Sequence, residues 1–147
     1  MRGLLSSPEG LRDTFLGYNG SVETFYVAVE ISSLAGGPAE RVEALVDTGS
    51  TYLSAPAPLL DSLGVRRIER RPFKLADGRV TESDLGRVLL AIDGREYPVL
   101  CVFAEPGSEP LLGAVALETF GLAPDPVARR LVPVPGLRMR TDPGRPS

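Results

Sequence analysis

Ala44-Leu45-Val46-Asp47-Thr48-Gly49-Ser50-Thr51 decides the reading of this chain. An apolar run ends in one carboxylate, and a small polar turn follows at once. Ala44, Leu45 and Val46 read as a buried strand. Asp47 then falls at the strand's end, where burial is expected to be deep and water scarce. A charged carboxylate is costly there unless hydrogen bonds or a partner compensate it. Gly49 lets backbone approach closely, and Thr48 and Ser50 supply hydroxyls able to hold the carboxylate. Such a setting positions an aspartate for acid/base work. The plainer alternative is a strand-to-turn junction, because Asp and Gly favour turns on their own. The apolar lead-in, the Ser after Gly, and Thr51-Tyr52-Leu53-Ser54 as a second strand favour the catalytic reading.

Around this segment the chain reads as mostly β. Val22 to Ile31 places Phe25, Val27, Val29 and Ile31 in alternation, a half-buried strand. Ala35-Gly36-Gly37-Pro38 turns the chain, and Arg41 to Val46 returns to deliver Asp47. Pro56 to Leu63 predicts a short helix with Pro near its start and Gly64 closing it. Arg70 to Leu75 and Arg79 to Leu85 flank Ala76-Asp77-Gly78, and Asp-Gly is a strong hairpin signal. Arg87 to Ile92 and Glu96 to Phe103 flank a second one, Asp93-Gly94. Leu112 to Phe120 reads as a strand end passing into a helix, with Gly121 as its stop. Leu122 to Pro126 is expected as a turn and Arg130 to Val134 as the last strand. Residues 1–21 are expected as an arm, 22–134 as the domain and 135–147 as a flexible tail. One or two short helices on many strands point to a small closed or partly closed β-barrel.

Composition narrows the chemistry. The chain has 147 residues, enough for one domain with a sizeable core. A net charge of −3 gives no electrostatic case for nucleic acid or an anionic membrane. Arg66, Arg67, Arg70 and Arg71 cluster, but Glu69 interrupts them, and a solvated loop or strand edge is expected. Histidine is absent, which excludes Ser-His-Asp and Cys-His catalysis and any His-ligated metal. With Cys101 alone, no intrachain disulfide or cysteine metal cluster can form. Neither metal nor cofactor is expected. No apolar run is long enough to span a membrane. The apolar stretch near Leu4 is too short for a secretory signal, and a cytoplasmic location is expected.

Three segments line up in order: Leu45-Val46-Asp47-Thr48-Gly49-Ser50, a hairpin tipped by Ala76-Asp77-Gly78-Arg79, and Pro110-Leu111-Leu112-Gly113 opening a helix. Over roughly residues 22–134 this order resembles the retroviral-type (retropepsin-like) aspartic proteases. Gly121 to Pro133 also looks like bacterial and archaeal members of that group. The resemblance implies the acid protease barrel, no cofactor, and a homodimeric aspartic endopeptidase acting on peptides. It implies Asp47 as the catalytic aspartate, Thr48 linking two active-site loops, Gly49 permitting the tight turn and Ser50 bonding the carboxylate. Ala76, Asp77, Gly78 and Arg79 would form a flap over substrate, and Leu111, Leu112 and Gly113 would support the active-site loop. Two positions depart from the retroviral pattern. The flap tip is charged rather than glycine-rich, and Ala114 stands where Arg often follows the glycine.

The chemistry implied needs two carboxylates, and the chain holds one Asp-Thr-Gly. A two-fold homodimer is the simplest way to bring two copies of Asp47 together. Two other readings stay open. One is a non-catalytic barrel serving as a peptide-binding or dimerisation module; the other is a structural barrel in which Asp47 caps a turn.

Overall fold

A computed structural model describes residues 24–136. The arm expected over 1–21, the first residues of the strand expected from Val22, and the expected tail from 137 onward lie outside them. The strands run β1 Tyr26–Ser33, β2 Glu40–Val46, β3 Leu53–Pro56, β4 Arg67–Lys74, β5 Val80–Ile92, β6 Arg95–Ala104, β7 Leu111–Leu112, β8 Leu122–Asp125 and β9 Arg130–Pro133. Two helices interrupt them, α1 Ala57–Ser62 and α2 Ala114–Phe120.

Six of the strands close on themselves in the order β1-β2-β7-β3-β6-β5, with β5 returning to β1. The closure is legible residue by residue. Ile31 stands opposite Leu90, and both are fully buried. Alternation along β1 sends Val29 and Ile31 inward and Glu30 outward, the period-two pattern of a sheet with one wet face. Closing the sheet removes the open edges that would otherwise pair with other chains. Leu53, Leu90, Leu112 and Phe120 fill the interior, each contributing about 1.5–3 kcal/mol through removal of apolar surface from water.

The strand β4 lies outside the barrel and pairs only with β5, so the two form an arm that projects from it. The arginine cluster falls in this arm, on a strand edge as expected. The sequence suggests two strands at 79–85 and 87–92, yet β5 is continuous through Gly86, which pairs with Cys101 on β6. One 13-residue strand therefore belongs to both the arm and the barrel wall.

A second difference concerns Leu122 to Pro126, expected as a turn. Leu122–Asp125 is a strand paired antiparallel with β9, forming a separate two-stranded ribbon. Proline is tolerated in a ribbon strand that has a free edge. The reversal comes later: the Asp125 carboxylate accepts hydrogen bonds from the backbone N–H of Val127 (3.0 Å) and Ala128 (3.2 Å). Gly121 ends α2 in the left-handed region at φ 67°, as its position after the helix predicts. Among the described residues no helix is long and apolar enough to cross a membrane.

Candidate active site

Asp47 is the first residue beyond β2, and the strand's own pairing fixes where it stands. The parallel bridges Leu45–Leu111 and Val46–Leu112 bind β2 to β7. The Asp47 N–H then donates to the Leu112 carbonyl at 3.1 Å. Leu112 is fully buried and Gly113 is buried behind it, so the floor under Asp47 is a packed one.

The turn that follows wraps the carboxylate. The Gly49 N–H donates to Oδ1 at 3.0 Å, and the Ser50 hydroxyl donates to Oδ2 at 3.2 Å. The Ser50 N–H closes the turn on the Asp47 carbonyl at 3.1 Å. Both carboxylate oxygens are therefore held, and the side chain has a fixed direction. Sequence reasoning expected hydroxyls from both Thr48 and Ser50. The second donor is instead the Gly49 backbone, and Thr48 is exposed. Deep burial of Asp47 was also expected, whereas it is half-buried. The reason is that β2 ends at Val46, so the 47–50 loop sits on the barrel's outer surface with Thr48 and Gly49 open to solvent.

The loop is gripped from below by α2. Ala114 N–H donates to the Ser50 carbonyl and Val115 N–H to the Thr51 carbonyl, both at 2.8 Å. This helix start satisfies its free N–H groups on the loop rather than on a capping side chain. Such close docking requires glycine at 113. A Cβ there would stand 2.5 Å from the Tyr52 carbonyl oxygen and 2.7 Å from that of Ser50.

Above Asp47 lies a cleft of about 1220 Å³. Asp47, Gly49 and Ser50 form one wall, and Ala76 and Arg79 of the hairpin tip another. Thr48, Asp77 and Gly78 are not among the lining residues, and Leu111, Leu112 and Gly113 lie beneath the loop. The hairpin tip is wholly exposed and satisfies itself. Asp77 accepts from the Arg79 N–H at 3.0 Å and from its Nε at 2.7 Å. Those two donors, the backbone one foremost, hold the Asp77 carboxyl below the usual carboxylate range.

Sequence reasoning missed the middle of the cleft. Tyr52, Phe73, Arg67, Arg70 and Asp84 all line it. Asp84 receives Arg67 Nε and Arg70 Nη1, each at 3.0 Å. Part of the signal was in the hairpin pattern: residues 71, 73, 81 and 83 share one face and 70, 82 and 84 the other. Arg71 and Phe73 meet Tyr52 from the first face, while Arg70 and Asp84 bond each other on the second.

No protein-family model matches the chain, and no curated protein sequence does. Solved structures do. The EIAV protease complexed with the inhibitor HBY-793 is 18% identical with a TM-score of 0.52, over 72% of this chain and 95% of that one. The Simian Foamy Virus (mac) protease is 19% identical with a TM-score of 0.47, over 65% of this chain and 93% of that one. A retropepsin-like aspartic protease from Rickettsia conorii is 20% identical with a TM-score of 0.45, over 69% of this chain and 84% of that one. At such identities the likeness is one of fold. A closed six-stranded barrel with two short helices, this chain has the fold of the retropepsin-like aspartic proteases.

Proposed function

We propose that the protein is an aspartic endopeptidase that works as a homodimer, with one Asp47 from each copy. The observation that carries this reading is the held carboxylate. Asp47 has both oxygens bonded within its own loop, yet stands half-open at the wall of a cleft overhung by a hairpin. A carboxylate that merely capped a turn would not need a floor this rigid or a cleft in front of it. The exposed loop residues Thr48 and Gly49 leave a surface on which a second copy of the loop can pack. The sequence of Gly121 to Pro133 resembles bacterial and archaeal members of the retropepsin-like group, and the chain is grouped with them in this proposal.

In this reading the two Asp47 carboxylates share one proton, because two such charges in contact cannot both ionise comfortably. The ionised copy takes a proton from a water molecule as its oxygen attacks the peptide carbonyl carbon. The protonated copy donates to the carbonyl oxygen. The tetrahedral diol then collapses, a proton passes to the amide nitrogen, and the C–N bond breaks to give a carboxyl and an amine product. Activity is expected in acidic to mildly acidic solution, falling as the shared proton is lost. The substrate would be a peptide in extended form, bonded along the hairpin as an added strand. Neither metal, cofactor, nucleic acid nor membrane enters this scheme. Cys101 is a buried free thiol and takes no part in it.

A peptide-pool digest by wild type and Asp47→Asn tests the proposal. Asn keeps the size but cannot exchange the proton, so cleavage by wild type alone is expected. Equal cleavage by the variant would refute aspartic catalysis, and binding without cleavage by either would favour the peptide-binding module. Mixing equal amounts of the two chains after dissociation tests the dimer. Only wild-type pairs are active, so about one quarter of the pairs should work.

A further inference from the structure

We propose that Tyr52 and Arg71 form a clasp that fixes the closed position of the hairpin over the Asp47 loop, making Tyr52 a positioning residue. The inference rests on the peptidase reading for its kinetic consequence, but the clasp itself is independent of it.

The two ends of the clasp differ in rigidity. Tyr52 follows directly on the segment that α2 holds through Ala114 and Val115, and its own carbonyl packs against Gly113. It is therefore tied to the same backbone that carries Asp47. Arg71 sits midway along β4, on the arm that leaves the barrel. Its Nη1 donates to the Tyr52 hydroxyl at 2.6 Å, and its guanidinium carbon lies 5.7 Å from the ring centroid. Glu69, two residues back on the same face, accepts from Arg71 Nε at 2.9 Å and so aims the guanidinium. Phe73 meets the Tyr52 ring edge-on, with centroids 6.2 Å apart.

The position along the arm gives the clasp its meaning. The arm's base is tied by Arg67, which bonds Asp61 of α1 at 2.6 Å and lies over the Phe103 ring at 4.2 Å. Beyond Phe73 the hairpin closes on itself, Leu75 N–H donating to the Arg79 carbonyl. The Tyr52–Arg71–Phe73 contact thus divides the held part of the arm from the part free to swing. A planar, charged donor on a phenol is directional, so it selects one height of the hairpin above Asp47. A lid kept near that height loses less freedom when a peptide binds.

Hydrogen exchange and kinetics test this with Tyr52→Phe, Arg71→Met, Arg71→Lys and the Tyr52→Phe/Arg71→Met double variant. Phe keeps the ring and the packing, so folding is preserved. Amide exchange between residues 70 and 75 should quicken about fivefold in Tyr52→Phe, the loss of roughly one charge-assisted bond at a partly exposed site. Exchange in α2 should not move. Arg71→Lys, which keeps a donor, should fall between wild type and Arg71→Met. The double variant should exchange no faster than the faster single one. On the best-cleaved peptide of the pool, KM should rise several-fold while kcat stays within about twofold. Unchanged exchange at 70–75 in Tyr52→Phe, or additive effects in the double variant, would overturn the clasp even if Asp47→Asn abolishes cleavage. Faster exchange with an unmoved KM would reduce the bond to a structural one and overturn the positioning role.

Discussion

Gly113→Ala isolates the support beneath Asp47. The new Cβ would meet the Tyr52 carbonyl oxygen at 2.5 Å, the Ser50 carbonyl oxygen at 2.7 Å and the Thr51 carbonyl carbon at 2.9 Å. Carbon–oxygen contacts ordinarily sit at about 3.3–3.6 Å, so the shortfall is nearly an ångström. All three atoms are backbone, and no side chain can rotate away. Relief requires α2 and the 50–52 segment to part. That movement stretches the Ala114–Ser50 and Val115–Thr51 bonds, both 2.8 Å, out of hydrogen-bonding range. Overpacking costs about 1–3 kcal/mol and each of the two lost bonds about 1 kcal/mol, so a destabilisation of about 3–5 kcal/mol is expected. For a chain of 147 residues this lowers Tm by about 10 °C or more. Gly49→Ala is the control. Its Cβ would meet only Asp47 Oδ1, at 3.2 Å, the far end of a side chain that can shift by a few tenths of an ångström. Tm should then fall by no more than about 2 °C, while the carboxylate loses its alignment with the Gly49 N–H and cleavage drops. Scanning calorimetry of both variants beside wild type decides the matter. A Gly113→Ala protein melting with wild type, or a Gly49→Ala protein losing as much as Gly113→Ala, would refute the assignment of rigidity to the α2 side of the loop.

Three further outcomes follow from particular residues. Burial pushes the Cys101 thiol up to about 12, so it stays protonated near neutrality; alkylation should wait on unfolding, and rapid labelling of native protein at pH 8 would contradict its placement in the core. The Arg67 guanidinium holds the Asp61 carboxyl below its ordinary 3.8. A lowered folded value contributes stability that is complete above the unfolded value and lost as pH falls through the folded one. The Tm gap between wild type and Asp61→Asn should thus be small near neutrality, the pair being exposed, and close in strong acid; a gap that widens in acid would reverse the sign. Amides at Ala76 to Arg79, all exposed, should exchange far faster than those of Leu89 to Ile92 in the barrel wall; equal protection would contradict a moving hairpin tip.

What the chain reveals before folding depends on how far each signal reaches. The Asp47 turn is local: its donors come from residues two and three places on, so sequence identifies the holding group even where it assigns one bond to Thr48 that the Gly49 N–H makes. The hairpins are local as well, since Asp77-Gly78 and Asp93-Gly94 sit at reversals that turn chemistry alone demands. The errors arise where a residue's meaning depends on a distant partner. Gly86 reads as a break because an isolated glycine weakens a strand; it is continuous because Cys101 pairs with it from β6. Leu122 to Pro126 reads as a turn because two prolines flank Asp125; it is a strand because β9 supplies a ladder on one side only and leaves the other edge free. Tyr52 shows the same limit at the site itself. Sequence reads it as one more aromatic in a strand expected over 51–54, whereas the strand starts at Leu53 and Tyr52 stands in the bend before it, with its neighbour Arg71 19 positions away. The part of the site that would do chemistry is short-range and legible, while the part that would set the lid is long-range, and only the closed barrel with its projecting arm brings it together.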